Sequence, residues 1–408
     1  MNFKSFAVCD INNEVYNQGL KVAQSEAYKD CKIRLMPDGH VGATGPIGFV
    51  CEFTDKIVPG TVGVDIACRV TGYNLGPLSN VDVQKLDEIC NNAIPTGFDV
   101  RKKEDLMSFA FPYEKLYCWD ALKNHDRLRK SMGTLGGGNH YLELDYDENT
   151  GDYWFVIHCG SRNLGKQVAE YYQNLAIQAR QARIDKYNKT RQMVIARARA
   201  RYHSDEYTQY QLGKAIEGAN GIYCELVESE PANDLCYIEG EDMAHYLNDM
   251  KICNDFSLSS HNVIFFEIMS QMGWKKHKTI VSCIHNYVDV EHGIIRKGAI
   301  EGYRGQLGLI PLNMRDGILL VQAKGNEDWN YSLPHGAGRL MSRGKARREV
   351  SLADFQEAMK GIYSTSIGQN TLDESPMAYK DAQQIIEAIQ PNADIISHMR
   401  PVWNMKAH

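Results

Sequence analysis

The chain lacks any two cysteines in C-x-x-C spacing, although it holds eleven of them. An odd number of scattered thiols excludes a closed disulfide framework. It fits a reducing compartment, where a special cysteine is a catalyst or a metal ligand. Long apolar runs are missing too. No stretch approaches the ~18 residues of a membrane span, and "MNFKSFAVCDINNEVY" has no signal-peptide core. A cytoplasmic protein without a membrane partner is expected. Nor is there an excess of positive charge: Lys and Arg number 45 against 51 Asp and Glu, a net charge of −6. That balance argues against wholesale coating of nucleic acid but leaves room for a local basic groove. No Pro/Gly/Ser-rich linker and no repeat divides the 408 residues.

What is present falls into three textures. Residues 32–75 are short apolar runs punctuated by Gly and Asp, "KIRLMPDGHVGATGPIGFVCEF" and "TVGVDIACRVTGYNLG". They predict strands at Gly48–Phe53 and Val62–Tyr73. Residues 166–250 differ, opening on a glycine-free run rich in helix formers that predicts one or two long helices. From about Val281 short strands and glycine turns return, and a last helix is predicted over Lys380–Ile389. The expected fold is one mixed α/β (α+β) domain over residues 1–408, strand-rich at its core, with a helical insertion at about 166–272.

Of thirteen histidines, His125, His203, His245, His261 and His277 sit in polar or helical surroundings and read as surface or packing residues. Four others share a context. His140 in "TLGGGNHYLEL", His158 in "YWFVIHCGSR", His285 in "TIVSCIHNYV" and His335 in "YSLPHGAGRLMSR" lie at strand ends or beside glycine or other small residues. There, side chains from distant parts of a chain can converge. "VGVDIACRV" adds Asp65 and Cys68. Residues three apart on a strand face opposite sides, so bringing these two together requires a bulge or turn at Ile66–Ala67. One thiol, imidazoles and a carboxylate make a ligand set suited to zinc, iron or manganese.

A competing motif is "GSRNLGKQ", Gly160 to Gln167, which nearly matches the phosphate-binding loop G-x-x-x-x-G-K-[ST]. It fails at Gln167, where the magnesium-binding hydroxyl should stand. A softer reading keeps Arg162 and helix-start amides as phosphate holders. Arg296, Lys297, Arg339 and Arg343 are further phosphate candidates, since arginine forks match phosphate oxygens. Residues 180–201 carry eight basic side chains against the single acid Asp185. They read either as a solvated helix face or as an RNA-contact face.

Taken in order, "MPDGHVGATGPIG", "VGVDIAC", "LGTLGGGNHYLEL", "HCGSRNLG", "IHNYV", "RKGAI", "SLPHGAGRLMSR", "SPMAYKD" and a lysine near the C-terminus resemble the RtcB family of RNA-splicing ligases, nearly end to end. The resemblance implies that GTP and two Mn²⁺ are used to join an RNA 3′-phosphate or 2′,3′-cyclic phosphate to a 5′-hydroxyl. It implies Cys68, His158 and His285 around one metal, and Asp65, Cys68 and His140 around the other. His335 would be the guanylylated nucleophile. Asn139, Glu143, Asn286, Asn313, Arg339, Tyr379 and Lys406 would face GTP or GMP, and Arg162, Lys297 and Arg343 the RNA phosphates. Asp38 and His40 match the family's N-terminal motif without a defined role. An archease-type activator is a further partner that the resemblance admits.

The chain departs from the family in three places. "PLNMRDG" puts Asn313 at a serine position, Ala67 and Arg69 flank the metal cysteine, and the tail ends "MKAH". These changes suggest a branch that repairs nuclease-cut RNA rather than one serving tRNA splicing. Two other readings stay open on the residues alone. One is a metal-dependent phosphoesterase acting on RNA ends, with His335 as acid or base. The other is a non-catalytic RNA-binding protein.

Overall fold

The computed structural model describes residues 2–8, 12–202, 206–274 and 278–407; His203 and His277 lie outside them. Two sheets carry the site. The larger has seven strands, all paired antiparallel, in the order Leu307–Asn313, Gly317–Ala323, Ala393–Lys406, Tyr141–Asp147, Asp152–Cys159, Arg69–Gly76 and Ile280–Ile284. The smaller runs Asn2–Ser5, Lys32–His40, Ile47–Glu52, Ile294–Lys297 and Asn286–Asp289. Only its first pair is parallel. The fold is mixed α/β, as expected.

Three long helices, Arg162–Arg201, Glu206–Ser229 and Gly240–Met272, leave the large sheet and return to it. The strand before them and the strand after them both pair with Arg69–Gly76. We therefore propose that residues 166–272 are an insertion within one domain. The third helix covers one sheet face: Phe265 stacks on Tyr73 with centroids 3.7 Å apart. The His261 ring bridges the Thr71 hydroxyl and the Cys159 carbonyl from a fully buried position. Among the described residues no helix is long and apolar enough to cross a membrane.

Two predicted elements need revision. The run Val62–Tyr73 becomes a strand only at Arg69, because Val62 still caps a 3-10 turn at Pro59–Thr61 and a tight turn at Asp65–Cys68 interrupts the run. The last helix begins at Ala382 rather than Lys380, since the Asp381 carboxylate accepts from the Gln383 and Gln384 amides and caps it.

Candidate functional site

Strand ends of the two sheets, with the short strand Ser332–Pro334 that leads into His335, enclose a cleft of about 790 Å³. The Asp65–Cys68 turn forms its floor. The Cys68 amide donates to the Asp65 carbonyl at 3.2 Å, and Ala67 adopts φ +60°, a left-handed conformation that costs a non-glycine residue about 1–2 kcal/mol. Asn286 holds the turn: its side-chain amide donates to the Asp65 carbonyl at 3.0 Å, its carbonyl oxygen accepts from the Gly298 amide, and its backbone carbonyl accepts from the Ala67 amide. Gly160 sits so close that a Cβ there would come within 2.4 Å of the Asp65 carboxylate. Arg69 turns away, its guanidinium meeting Ser282 and Asn254.

Five donors converge over this turn. Cys68 Sγ lies 3.4 Å from both His140 Nε2 and His158 Nε2. His158 Nε2 is 3.2 Å from His285 Nε2, and His140 Nε2 is 3.1 Å from Asp65 Oδ2. The ligand atoms of Cys68, His158 and His285 lie within 4.8 Å of one another, as do those of Asp65, Cys68 and His140. Burial pushes the His285 imidazole down to about 3 and His158 well below the usual range, so both rings are neutral near pH 7. His140 donates Nδ1–H to the Leu135 carbonyl at 3.0 Å, which assigns its Nε2 as a lone pair facing a carboxylate. A lone pair facing a carboxylate at 3.1 Å is repulsive unless a cation sits between them. The donor set therefore fits bound metal ions. Burial, with Asp65, raises the Cys68 thiol well above its ordinary value, so forming a thiolate there requires such a cation.

His335 stands beside this cluster, its ring centroid 4.8 Å from that of His285. It belongs to neither group of converging ligands. Its Nδ1–H donates to Asp38 Oδ2 at 2.6 Å, and its amide reaches the same oxygen at 3.1 Å. Asp38 is fully buried. The Gly-Ala-Gly turn after His335 closes over it: Gly338, at φ +76°, packs so tightly that a Cβ would meet the Asp38 carbonyl at 2.1 Å. The pair leaves Nε2 of His335 as the free nitrogen. His40, whose Nδ1 reaches the Asp38 carbonyl at 3.0 Å, is driven to about 4 by burial.

The opposite wall is basic and organised by an acid that sequence reasoning missed. Glu374 bonds Lys406 at 3.2 Å, the Tyr379 hydroxyl at 2.6 Å, Arg339 at 3.2 Å and Arg343 at 2.5 Å. Its neighbour Asp373 pairs with Arg343 and Arg347. Burial works to raise the Glu374 carboxyl, yet Lys406, Arg343, Tyr379 and Arg339 hold it below its ordinary range. Lys406 also lies 4.5 Å over the Tyr141 ring and reaches the Asn139 carbonyl at 3.4 Å. Glu143, on the same strand as Tyr141, is pushed up by burial and then by Asp145, with Lys406 opposing. "DESP" carried no glycine or strand-end flag, and its cationic partners lie 26 to 35 residues away.

The remaining candidates are placed as follows. Asn139, Glu143, Asn286, Asn313, Arg339, Tyr379, Lys406, Lys297, Arg343 and His40 all line the cleft. The Asn313 side chain is occupied by its own turn, donating to Asp316 and accepting from the Arg315 and Asp316 amides. Lys297 is buried, with Nζ on the carbonyls of Thr44, Gly45 and Gly60, and burial brings it to about 8. Arg296 is fully buried against Asp289, Tyr287 and Ser332. Arg162, at φ +60°, packs behind the glycine loop, where a Cβ on Gly136 would meet its guanidinium. The near match to a phosphate-binding loop forms none: the helix already runs from Arg162, and Lys166 faces Glu170 in the solvent.

The family model for the tRNA-splicing ligase RtcB matches residues 18–407 of the chain. The chain is 27% identical to the RNA-splicing ligase RtcB of Escherichia coli K12, over 92% of its own length and 90% of that protein's. It is 26% identical to the tRNA-splicing ligase RtcB of Aeropyrum pernix, covering 90% and 86%. It is 27% identical to the protein of the same name in Archaeoglobus fulgidus, at the same coverage.

Proposed function

The chain belongs to the RtcB family, and from that membership we propose that it is a metal-dependent RNA ligase working through a nucleotidylated His335. The observation that carries this reading is the Asp38–His335 pair. It fixes one imidazole nitrogen on a buried carboxylate and leaves the other free, next to but outside the converging ligands.

In this reading His335 Nε2 attacks the α-phosphorus of GTP. The N–P bond forms as the bond to pyrophosphate breaks, and positive charge develops on the imidazole. Asp38, already bonded to Nδ1–H, stabilises that charge and fixes the ring's direction. Two Mn²⁺, held by Cys68, His158 and His285 and by Asp65, Cys68 and His140, would supply neutralisation of phosphate charge and polarisation of phosphorus. The nucleotide then passes from His335 to the oxygen of an RNA 3′-phosphate, breaking the N–P bond and regenerating the imidazole. A 5′-hydroxyl attacks that activated phosphate, GMP leaves, and a 3′,5′-phosphodiester closes. A 2′,3′-cyclic phosphate end is first opened by water to the 3′-phosphate. Arg339 and Arg343, oriented by Glu374 and Asp373, would bind phosphate oxygens, and Lys406, Tyr379 and Glu143, which line the same cleft, would face the base.

RNA repair or tRNA splicing is the role we assign, in the cytoplasm. The latter fits the free state of all ten described cysteines. The test is an end-joining assay with 3′-phosphate and 2′,3′-cyclic phosphate RNA, a 5′-hydroxyl acceptor, GTP and Mn²⁺. The expected product carries the labelled terminal phosphate inside a phosphodiester. Release of that label as inorganic phosphate without joining would instead support the phosphoesterase reading. A spliced-tRNA pair run beside a nuclease-cut RNA tests the repair preference, which fails if the spliced pair joins better.

A further inference from the structure

We infer that the solvent-facing side of the helix Arg162–Arg201 is a landing surface for the phosphate backbone of an RNA whose reacting end lies in the cleft. The inference rests on the RNA-ligase reading above and extends it to the body of the substrate. The helix is 40 residues long, about 60 Å at 1.5 Å per residue. Its first turns are anchored: Leu164, Val168, Tyr172 and Ala176 are buried. The Gln173 side-chain carbonyl accepts from the Gly60 amide at 3.1 Å, and Gly60 lines the cleft. The helix thus passes the cleft rim at Gln173 and runs outward for about 42 Å more.

On that outer part the two sides differ. One packs on the helix Glu206–Ser229: Arg191 lies 4.5 Å over the Tyr223 ring, and Ala198 is buried. The other presents Lys186, Lys189, Arg197 and Arg201, all exposed. At about 100° per residue these four fall within an arc of about 120°. Among the described residues none of the four forms an ion pair, whereas Arg183 and Lys166 nearby are neutralised by Glu230 and Glu170. The one acid of the segment, Asp185, accepts from Gln181. The exposed acids Glu217, Glu225 and Glu228 lie on the neighbouring helix, so charge is segregated between the two.

Four cations without an ion pair among the described residues, in a chain of net charge −6, gain most from a polyanion. They span 15 residues, about 22 Å, which exceeds a mononucleotide, and they begin about 20 Å beyond the rim contact at Gln173. An RNA held by its end in the cleft is the polyanion that reaches them. An RNA end of about two or three nucleotides is shorter than that distance, whereas a tRNA-sized RNA exceeds it.

The experiment uses the full chain with all four residues changed to glutamate (Lys186→Glu, Lys189→Glu, Arg197→Glu, Arg201→Glu), and a second variant with glutamine at the same positions. Binding of a tRNA-sized RNA with unreactive ends, read by fluorescence anisotropy across a salt series, reports the surface without needing ligation. The log–log salt slope is expected to fall by about 3 in the glutamine variant and by at least as much in the glutamate variant, whose affinity drops further, at least about tenfold below wild type. Self-labelling with GTP and joining of a short oligonucleotide pair are expected unchanged. An unchanged slope and affinity for the long RNA would overturn the inference, as would equal losses on short and long substrates. A wild type that binds with the full slope but joins no ends would leave the surface standing and sink the ligase reading instead.

Discussion

Replacing Asp38 with asparagine isolates the most specific part of the mechanism. The change keeps the shape of a fully buried side chain and removes its charge. The wild-type carboxylate accepts from His335 Nδ1 at 2.6 Å and from the His335 amide at 3.1 Å. A hydrogen bond to a charged group contributes about 1.5–3 kcal/mol. The charge matters most when the imidazole turns cationic during attack on phosphorus. At about 1.4 kcal/mol per tenfold, its loss slows nucleotidylation by about 10- to 150-fold. Asp38 belongs to neither set of converging ligands, so metal content is expected to stay at the wild-type level. Nucleotide affinity is also expected to hold, because Asp38 acts behind the ring. The assay is single-turnover labelling with [α-³²P]GTP at saturating nucleotide, with bound metal measured on the same samples. Labelling by Asp38→Asn at the wild-type rate would refute the orienting role. A loss confined to nucleotide affinity would do the same.

Cys68→Ser removes the one side chain common to both ligand groups, so bound metal per chain is expected to fall from two to one or none by elemental analysis, with joining abolished. Because burial keeps the Cys68 thiol protonated without a cation, metal loading should also release a proton. Calorimetry in buffers of different ionisation enthalpy will read it, and the serine variant should lose that release. Asp145→Asn tests the buried carboxyl pair. Burial raises Asp145 to about 7, so the folded state is favoured below the ordinary carboxylate value near ~4 and loses stability as pH climbs toward 7. The variant is therefore expected to raise the melting temperature at pH 8 and leave it unchanged at pH 4; equal shifts at both would contradict this. Asn313→Ser restores the family residue at a side chain now taken up by its own turn. Labelling with GTP and ATP in parallel should show base preference moving toward GTP, and an unchanged ratio would remove Asn313 from base choice.

How much of this could be read in the sequence depends on how locally each feature is written. The strand Ile47–Glu52 lies within one residue of the run predicted for it, because alternation and flanking glycines are local signals. The Asp65–Cys68 turn followed from chemistry rather than propensity: two residues that need to meet could not stay in one extended strand, and Ala67 accordingly takes φ +60°. The same turn is why the strand there begins late. Glu374 was invisible because its meaning lies in Lys406, Arg339 and Arg343, none of them its sequence neighbour. Arg296 and Lys297 also owe their surroundings to distant partners. A basic pair before a glycine reads as a phosphate site, and the fold adds that Arg296 bonds Asp289 while Lys297 lines the cleft with Nζ on three carbonyls. Burial of a cation is set by tertiary partners that a local reading does not see.

The most direct measurement is the identity of the nucleotidylated atom. Wild-type protein incubated with [α-³²P]GTP and Mn²⁺, denatured and digested, should yield an acid-labile, base-stable label on the peptide holding His335. Ala at position 335 should abolish it, while Lys406→Ala should weaken but not relocate it. A label on a lysine, or none at all while RNA ends are still processed, would contradict the account.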